Sequence, residues 1–175
     1  PQRVRFYSQF INPGDIVFDV GANIGNRIDA LLQLNAKVIA VEPQPQCISV
    51  LKQKFENKIT IEEVGLGSSV GTGVMHIADV STISTLSKEF IEKTSSSRFK
   101  RNKWESTIEI KLSTLDKLIE KYGVPVFCKI DVEGFEAEVL GGLHHTIPFL
   151  SFEYCVPEMH QQLLNCSSII HTLNA

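Results

Sequence analysis

The chain has 175 residues, 43% of them hydrophobic, and a net charge of −3 from 17 Lys plus Arg against 20 Asp plus Glu. That length supports one well-buried core and is short for two ordinary domains, so a single domain over residues 1–175 is expected. The slightly negative charge excludes a general attraction to nucleic acid or anionic membrane, and no apolar run approaches the roughly 18 residues of a membrane span.

Apolar runs of strand length alternate with helical patterns, which predicts an α/β, Rossmann-like fold: βαβ units, a mainly parallel sheet and helices on both faces. The first strand covers 16–19 and carries Asp19 to its C-terminal end. The turn Gly21-Ala22-Asn23-Ile24-Gly25 follows, then a helix over 27–34 and a strand over 38–42 that ends on Glu42. Dinucleotide folds place an acid roughly 20 positions past their glycine turn, where it takes ribose hydroxyls. Yet Ala22-Asn23 stand where the second glycine of G-x-G-x-x-G would admit a pyrophosphate. Gly21 still permits a tight turn with positive φ, Asn23 tolerates the same region, and Gly25 gives close approach at a helix start, whose first N–H groups can receive an anion. A ligand with a ribose, an adenine and a small carboxylate but no phosphate suits this turn, and S-adenosylmethionine is such a ligand.

A helix over 46–55 comes next, with Ile48, Leu51 and Phe55 at helical spacing, then a strand over 59–64. The turn-rich link 65–73 predicts that the strand over 73–78 pairs antiparallel with its neighbour. From Asp79 to Ser106 the regularity fails, and a connection of that length in a compact domain is either a functional loop or a disordered one. It offers Ser81, Thr82, Ser84 and Thr85, then the basic run Arg98-Phe99-Lys100-Arg101-Asn102-Lys103-Trp104. Basic residues interleaved with aromatics could grip a sugar, a phosphate-bearing glycolipid or a nucleic acid, but a solvated charged loop is the preferred reading of this run. Beyond it lie a strand over 107–112, a helix through Tyr122 capped by Ser113 and stopped by Gly123, and a strand over 126–131. A short helix over 135–140, a strand over 149–155, helix-like residues 158–164 and a polar tail complete the chain. Cys47, Cys128, Cys155 and Cys166 lie far apart, mostly within apolar runs, and read as reduced thiols of a cytoplasmic protein. No basic segment leading into an apolar stretch opens the chain, and the absence of an initiator Met leaves room for residues upstream of Pro1.

The second concentrated signal is Lys129-Ile130-Asp131-Val132-Glu133-Gly134-Phe135-Glu136. In an extended strand Lys129, Asp131 and Glu133 share one face, and ionisable groups ending an apolar run are costly unless paired or used. Ligand crevices of parallel α/β sheets lie outside the C-terminal strand ends, where Asp19, Glu42, Asp131 and Glu153 would form a negative mouth suited to a sulfonium, an ammonium or a divalent metal. The bland alternatives are that Asp131 and Glu133 cap the helix near Phe135 and that Lys129 is a structural bridge. Asp131 with Glu153 could hold Mg²⁺, but two ligands are too few to infer a metal, and none is assigned. Of the histidines, His160 alone sits where it could reach the site as a base.

These residues carry a family resemblance. The strings from Val17 to Gly25, Val41-Glu42-Pro43, Ser84-Thr85-Leu86, Thr114-Leu115-Asp116 and Lys129 to Glu136 together resemble the FkbM family of S-adenosylmethionine-dependent methyltransferases. The resemblance implies a class I methyltransferase fold, a seven-stranded sheet with one antiparallel strand, and O-methylation of sugars, glycolipids or macrolide-type products. It leaves little room for the last two strands after 149–155, so C-terminal strands are expected to be missing. By the same resemblance, Asp19, Gly21, Ala22, Asn23 and Gly25 form the turn around the methionine portion of the cofactor, Glu42 accepts the ribose hydroxyls, and Val64 and Gly65 border the adenine. Asp131 lies beside the transferring methyl, Asp131 or Glu133 takes the acceptor's proton, and Lys129 holds a carboxylate or lowers an alcohol's pKa. The expected partner is a small-molecule or glycan acceptor, not a nucleic acid, with residues 79–106 as an acceptor-side lid. A non-catalytic cofactor-binding module and a nucleotide-dependent oxidoreductase are the alternatives.

Overall fold

A computed structural model describes residues 2–173. In chain order, helix α1 (Gln2–Tyr7) precedes strand β1 (Ile16–Val20), helix α2 (Ile28–Gln33), strand β2 (Lys37–Val41), helix α3 (Pro45–Phe55) and strands β3 (Thr60–Glu62), β4 (Gly65–Leu66) and β5 (Gly71–Ala78). Helix α4 (Lys88–Thr94), strand β6 (Trp104–Ser113), helix α5 (Leu115–Tyr122), strand β7 (Phe127–Ile130), helix α6 (Glu136–Leu140), strand β8 (Phe149–Phe152) and helix α7 (His160–Leu173) follow.

The principal sheet is parallel throughout, in the order β3-β2-β1-β7-β8. Strand side chains alternate between its faces. Phe18, Val20, Ile39, Val41, Cys128 and Ile130 enter one core with α5, α6 and α7. Val17, Val38, Ala40 and Phe127 enter the other, with Tyr7, Ile28, Leu31, Leu51 and Phe55 from α1, α2 and α3. The same alternation puts Asp19 and Lys129 on this second face, where they are register partners across β1 and β7.

The structure departs from the sequence reading in several places. The third strand ends at Glu62, and β4 leaves the principal sheet to pair with β6 in a second, three-stranded sheet. A Cβ at Gly65 would come within 2.9 Å of Ile110 Cδ1 and Leu112 Cδ2, so the missing side chain lets β4 lie against β6. The expected antiparallel strand is there, β5 pairing with β6 from Gly71 to Ala78. Residues 79–106 are not wholly irregular: α4 lies within them, with the Ser87 hydroxyl accepting from Phe90 N, and β6 starts at Trp104, while turns make up much of the rest. The cap of α5 is Thr114 rather than Ser113, its side chain accepting from Lys117 N. The polar tail is mostly helix, since α7 runs for 14 residues and lays Cys166, Ile169, Ile170 and Leu173 against the first core. Among the described residues no helix is long and apolar enough to cross a membrane.

Candidate active site

The turn after β1 is held by backbone. Gly21 N and Ala22 N both donate to Val41 O, and the chain passes through positive φ at Gly21 (76°), Asn23 (49°) and Gly25 (81°). These are conformations that Gly and Asn adopt at low cost. Glu42, 2% exposed, draws the turn against the end of β2: Oε2 accepts from Asn23 N and Oε1 from Gln44 N, both at 2.8 Å. Burial pushes its carboxyl above the ordinary range, and the N–H groups of Gln44 and Asn23 pull it back in part. Each carboxylate oxygen keeps a further lone pair for a ligand hydroxyl.

At the neighbouring strand end, Lys129 Nζ lies 2.9 Å from Asp131 Oδ2 and 3.5 Å from Asp19 Oδ1. Asp19 is 1% exposed, and neither of its oxygens has a hydrogen-bond donor among the described residues. Burial raises the Asp19 pKa against the pull of Lys129; burial acts to lower that of Lys129, but Asp19 and Asp131 outweigh it and hold the ammonium above its usual value. Beyond β7 the chain turns sharply, with Glu133 at φ 53° and Gly134 at φ 87°. Burial first, then the charges of Asp131 and Glu153, push Glu133 up to about 8. The N–H groups of this turn are taken by Glu136, whose Oε1 accepts from Val132 N at 3.0 Å and Oε2 from Gly134 N at 3.1 Å. Glu136 thus ties down the turn that precedes α6, while Asp131 and Glu133 line a cavity.

That cavity, of about 250 Å³, opens at the C-terminal ends of β1, β2 and β7. It brings together Gly21, Ala22, Asn23, Glu42, Val64 and Gly65 on one side with Lys129, Asp131 and Glu133 on the other. Two candidates do not reach its wall. Asp19 lies beneath Lys129, and Gly25 packs against α3, where a Cβ would fall 2.3 Å from Phe55 Cε2. Glu153 lines the cavity, whereas His160 is exposed at the start of α7 and does not. Ser81, Thr82, Ser84, Thr85 and Leu86 cover one side. Their segment is tied down by Asn23 Nδ2 donating to Ser81 Oγ (3.3 Å), Trp104 Nε1 to Ile83 O (2.9 Å) and Thr85 Oγ1 to Glu133 O (2.6 Å). The basic run contributes no lining residue; within it, Phe99 and Trp104 pack on Phe90. Arg3, Arg27, Gln44 and Met75 also line the cavity and were not anticipated, because none belongs to a spacing pattern. Among the described residues no group of three or more His, Cys, Asp or Glu is placed to share a metal ion.

The family model of the methyltransferase FkbM domain matches residues 19–170. The chain belongs to the FkbM methyltransferase family. It is 28% identical over 162 residues to the hexuronic acid methyltransferase AglP of Haloferax volcanii, an alignment that covers 90% of this chain and 61% of that protein. A shorter match, 39% identical over 54 residues, covers 31% of this chain and 20% of a probable ribosomal RNA small subunit methyltransferase A of Methanosarcina acetivorans. Two solved structures share the fold at 10% identity. One is a TehB-like SAM-dependent methyltransferase of Corynebacterium glutamicum (TM-score 0.51, 95% of this chain and 71% of that one). The other is a precorrin-6y C5,15-methyltransferase of Geobacter metallireducens (TM-score 0.52, 98% and 70%). FkbM membership implies S-adenosylmethionine as the cofactor, and the site's chemistry fits it. Glu42 presents a desolvated carboxylate at the end of β2, and Asp131, Glu133 and Glu153 line the same cavity, a set of acidic groups compatible with a sulfonium cation.

Proposed function

We propose that this chain methylates an oxygen of a sugar, glycolipid or secondary-metabolite acceptor, using S-adenosylmethionine. The reading takes residues 1–175 as one methyltransferase domain with 79–106 as a lid on the acceptor side. The observation that carries it is one cavity holding Glu42 at one end and Lys129, Asp131 and Glu133 at the other. The similarity to a hexuronic acid methyltransferase supports a carbohydrate acceptor. When bound, the sulfonium supplies an electrophilic methyl group. Glu42 accepts the ribose hydroxyls with charge-assisted strength, Val64 and Gly65 border the adenine, and the turn from Gly21 to Asn23, with Asp19 beneath it and Gly25 behind it, shapes the methionine end. In-line displacement at carbon needs chiefly alignment and a group to take the acceptor proton. Asp131 or Glu133 takes that proton, and Lys129 fixes Asp131 in place. The experiment is transfer of a labelled methyl group from S-adenosylmethionine to a panel of neutral glycosides and glycosiduronic acids, beside calorimetric titration with S-adenosylhomocysteine and NAD. Tight NAD binding without a response to S-adenosylhomocysteine overturns the reading in favour of an oxidoreductase.

Two further results are expected. Glu42→Gln retains the acceptor for one backbone N–H but loses the charge and one acceptor oxygen, so S-adenosylhomocysteine affinity should fall by roughly 10–100-fold, measured by calorimetry. Unchanged affinity would remove Glu42 from the ribose site. If Glu133 is the proton acceptor, it must be ionised, and with its pKa held at about 8 the rate should climb as pH rises through that value. Transfer that continues at the parent rate in Glu133→Gln removes Glu133 as the proton acceptor. The sign for stability is opposite: the fold favours protonated Glu133, so stability falls as pH rises from the ordinary carboxylate range to about 8. Thermal melts at about pH 5 and about pH 9 should show that fall in the parent and its loss in Glu133→Gln.

A further inference from the structure

A second cavity, lined by Gln2, Tyr7, Ser151 and Phe152 among others, adjoins the first, and the two share Arg3, Arg27, Lys129, Asp131 and Glu153. Lys129 is committed to Asp131 and Asp19, while Arg3 Nη1 donates to Asn26 O at 2.6 Å and its other side-chain N–H groups have no partner among the described residues. Arg27 is half-buried immediately before α2, close enough to act electrostatically on Tyr7, Asp19, Lys129 and Glu153. Even so, its guanidinium makes no hydrogen bond or ion pair among the described residues. A partly desolvated guanidinium with no acceptor is unfavourable until an anion arrives. Its planar fork matches a carboxylate in two parallel hydrogen bonds, and Asp131 and Glu153 on the same wall select a monoanion over a more highly charged group.

We infer that Arg27, assisted by Arg3, is a carboxylate-binding subsite at the junction of the two cavities. The inference rests on the proposed function for its ligand, and that ligand chemistry has two sources: the amino-acid carboxylate of the cofactor or a carboxylate on the acceptor. Calorimetry on the whole chain and on Arg27→Gln separates them. If the source is the cofactor, Arg27→Gln binds S-adenosylhomocysteine roughly 10–100-fold more weakly but 5′-methylthioadenosine, which lacks the carboxylate, as the parent does. If it is the acceptor, S-adenosylhomocysteine affinity is kept, and the parent's preference for methyl glucuronide over methyl glucoside disappears in Arg27→Gln. Arg27→Lys, which keeps the charge without the fork, should fall between, and Arg3→Gln gives the same readings in weaker form should Arg27→Gln not fold. An Arg27→Gln protein indistinguishable from the parent in both comparisons overturns the subsite. Failure of the parent to bind either nucleoside overturns the cofactor reading instead, and the glucuronide comparison then decides the subsite alone.

Discussion

Asp131→Asn is expected to slow methyl transfer by roughly 10²–10⁴-fold at saturating cofactor and acceptor, while S-adenosylhomocysteine affinity stays within about threefold. The substitution keeps the shape of the side chain at the end of β7 but removes its ability to take a proton. It also strips Lys129 of its nearer carboxylate, at 2.9 Å, leaving Asp19 at 3.5 Å as its partner. Single-turnover transfer of a labelled methyl group, run beside calorimetry on the same protein, reads both quantities. A full rate would move the proton to Glu133, where the pH profile tests it. Lost binding with the rate per bound cofactor intact would make Asp131 a binding residue only.

Gly21→Ala should abolish cofactor binding and lower the melting temperature. Its backbone has φ 76°, and a Cβ would lie 1.8 Å from the carbonyl oxygen of Asp131. No flexible side chain can move aside, so the tips of β1 and β7 must separate, which costs a few kcal/mol, at roughly 2–4 °C each. Gly14→Ala is the matched control: it has φ 90° with nothing within 4 Å of the added carbon, so it carries the conformational penalty without the collision. Equal melting temperatures for the two variants would show that the contact between turn and strand end is loose.

What could be read from the sequence was what has a period or a spacing. Val17-Phe18 and Val38-Ile39 announce strands buried on both faces, and Glu42 sits at the distance from the glycine turn that a ribose acid requires. Lys129, Asp131 and Glu133 read as a group and do line one cavity. Asp19 shows where such reading fails. It looks like a rim residue because it ends an apolar run, but strand parity aims it into the face beneath α1 and α2, under Lys129. The break between β3 and β4 goes with a close approach at Gly65, where a side chain would collide with Ile110 and Leu112, far away in sequence, and it left no local mark. Helix α4 was hidden because a single seven-residue helix amid Ser, Lys and Arg has too short a pattern to stand out, although the Ser87 cap was present. Arg27 follows the turn without any motif of its own, and only the cavity gives it a context.

The hydroxyl of Thr85 has one proton and gives it to the Glu133 carbonyl, while its oxygen takes the N–H of Ser87. Phe90, one turn into α4, presses on Gly134, where an added Cβ would meet Phe90 Cβ at 2.6 Å. The cover over the cavity and the turn bearing Glu133 are thus a single mechanical piece. On the proposed reading, moving the cover would move Glu133 with it, because Thr85 holds the Glu133 carbonyl, whereas the second cavity beside Arg3 and Glu153 shares none of these bonds. Were Glu133 the group that takes the acceptor's proton, as one arm of the proposal has it, its placement and the seating of this cover would be a single event.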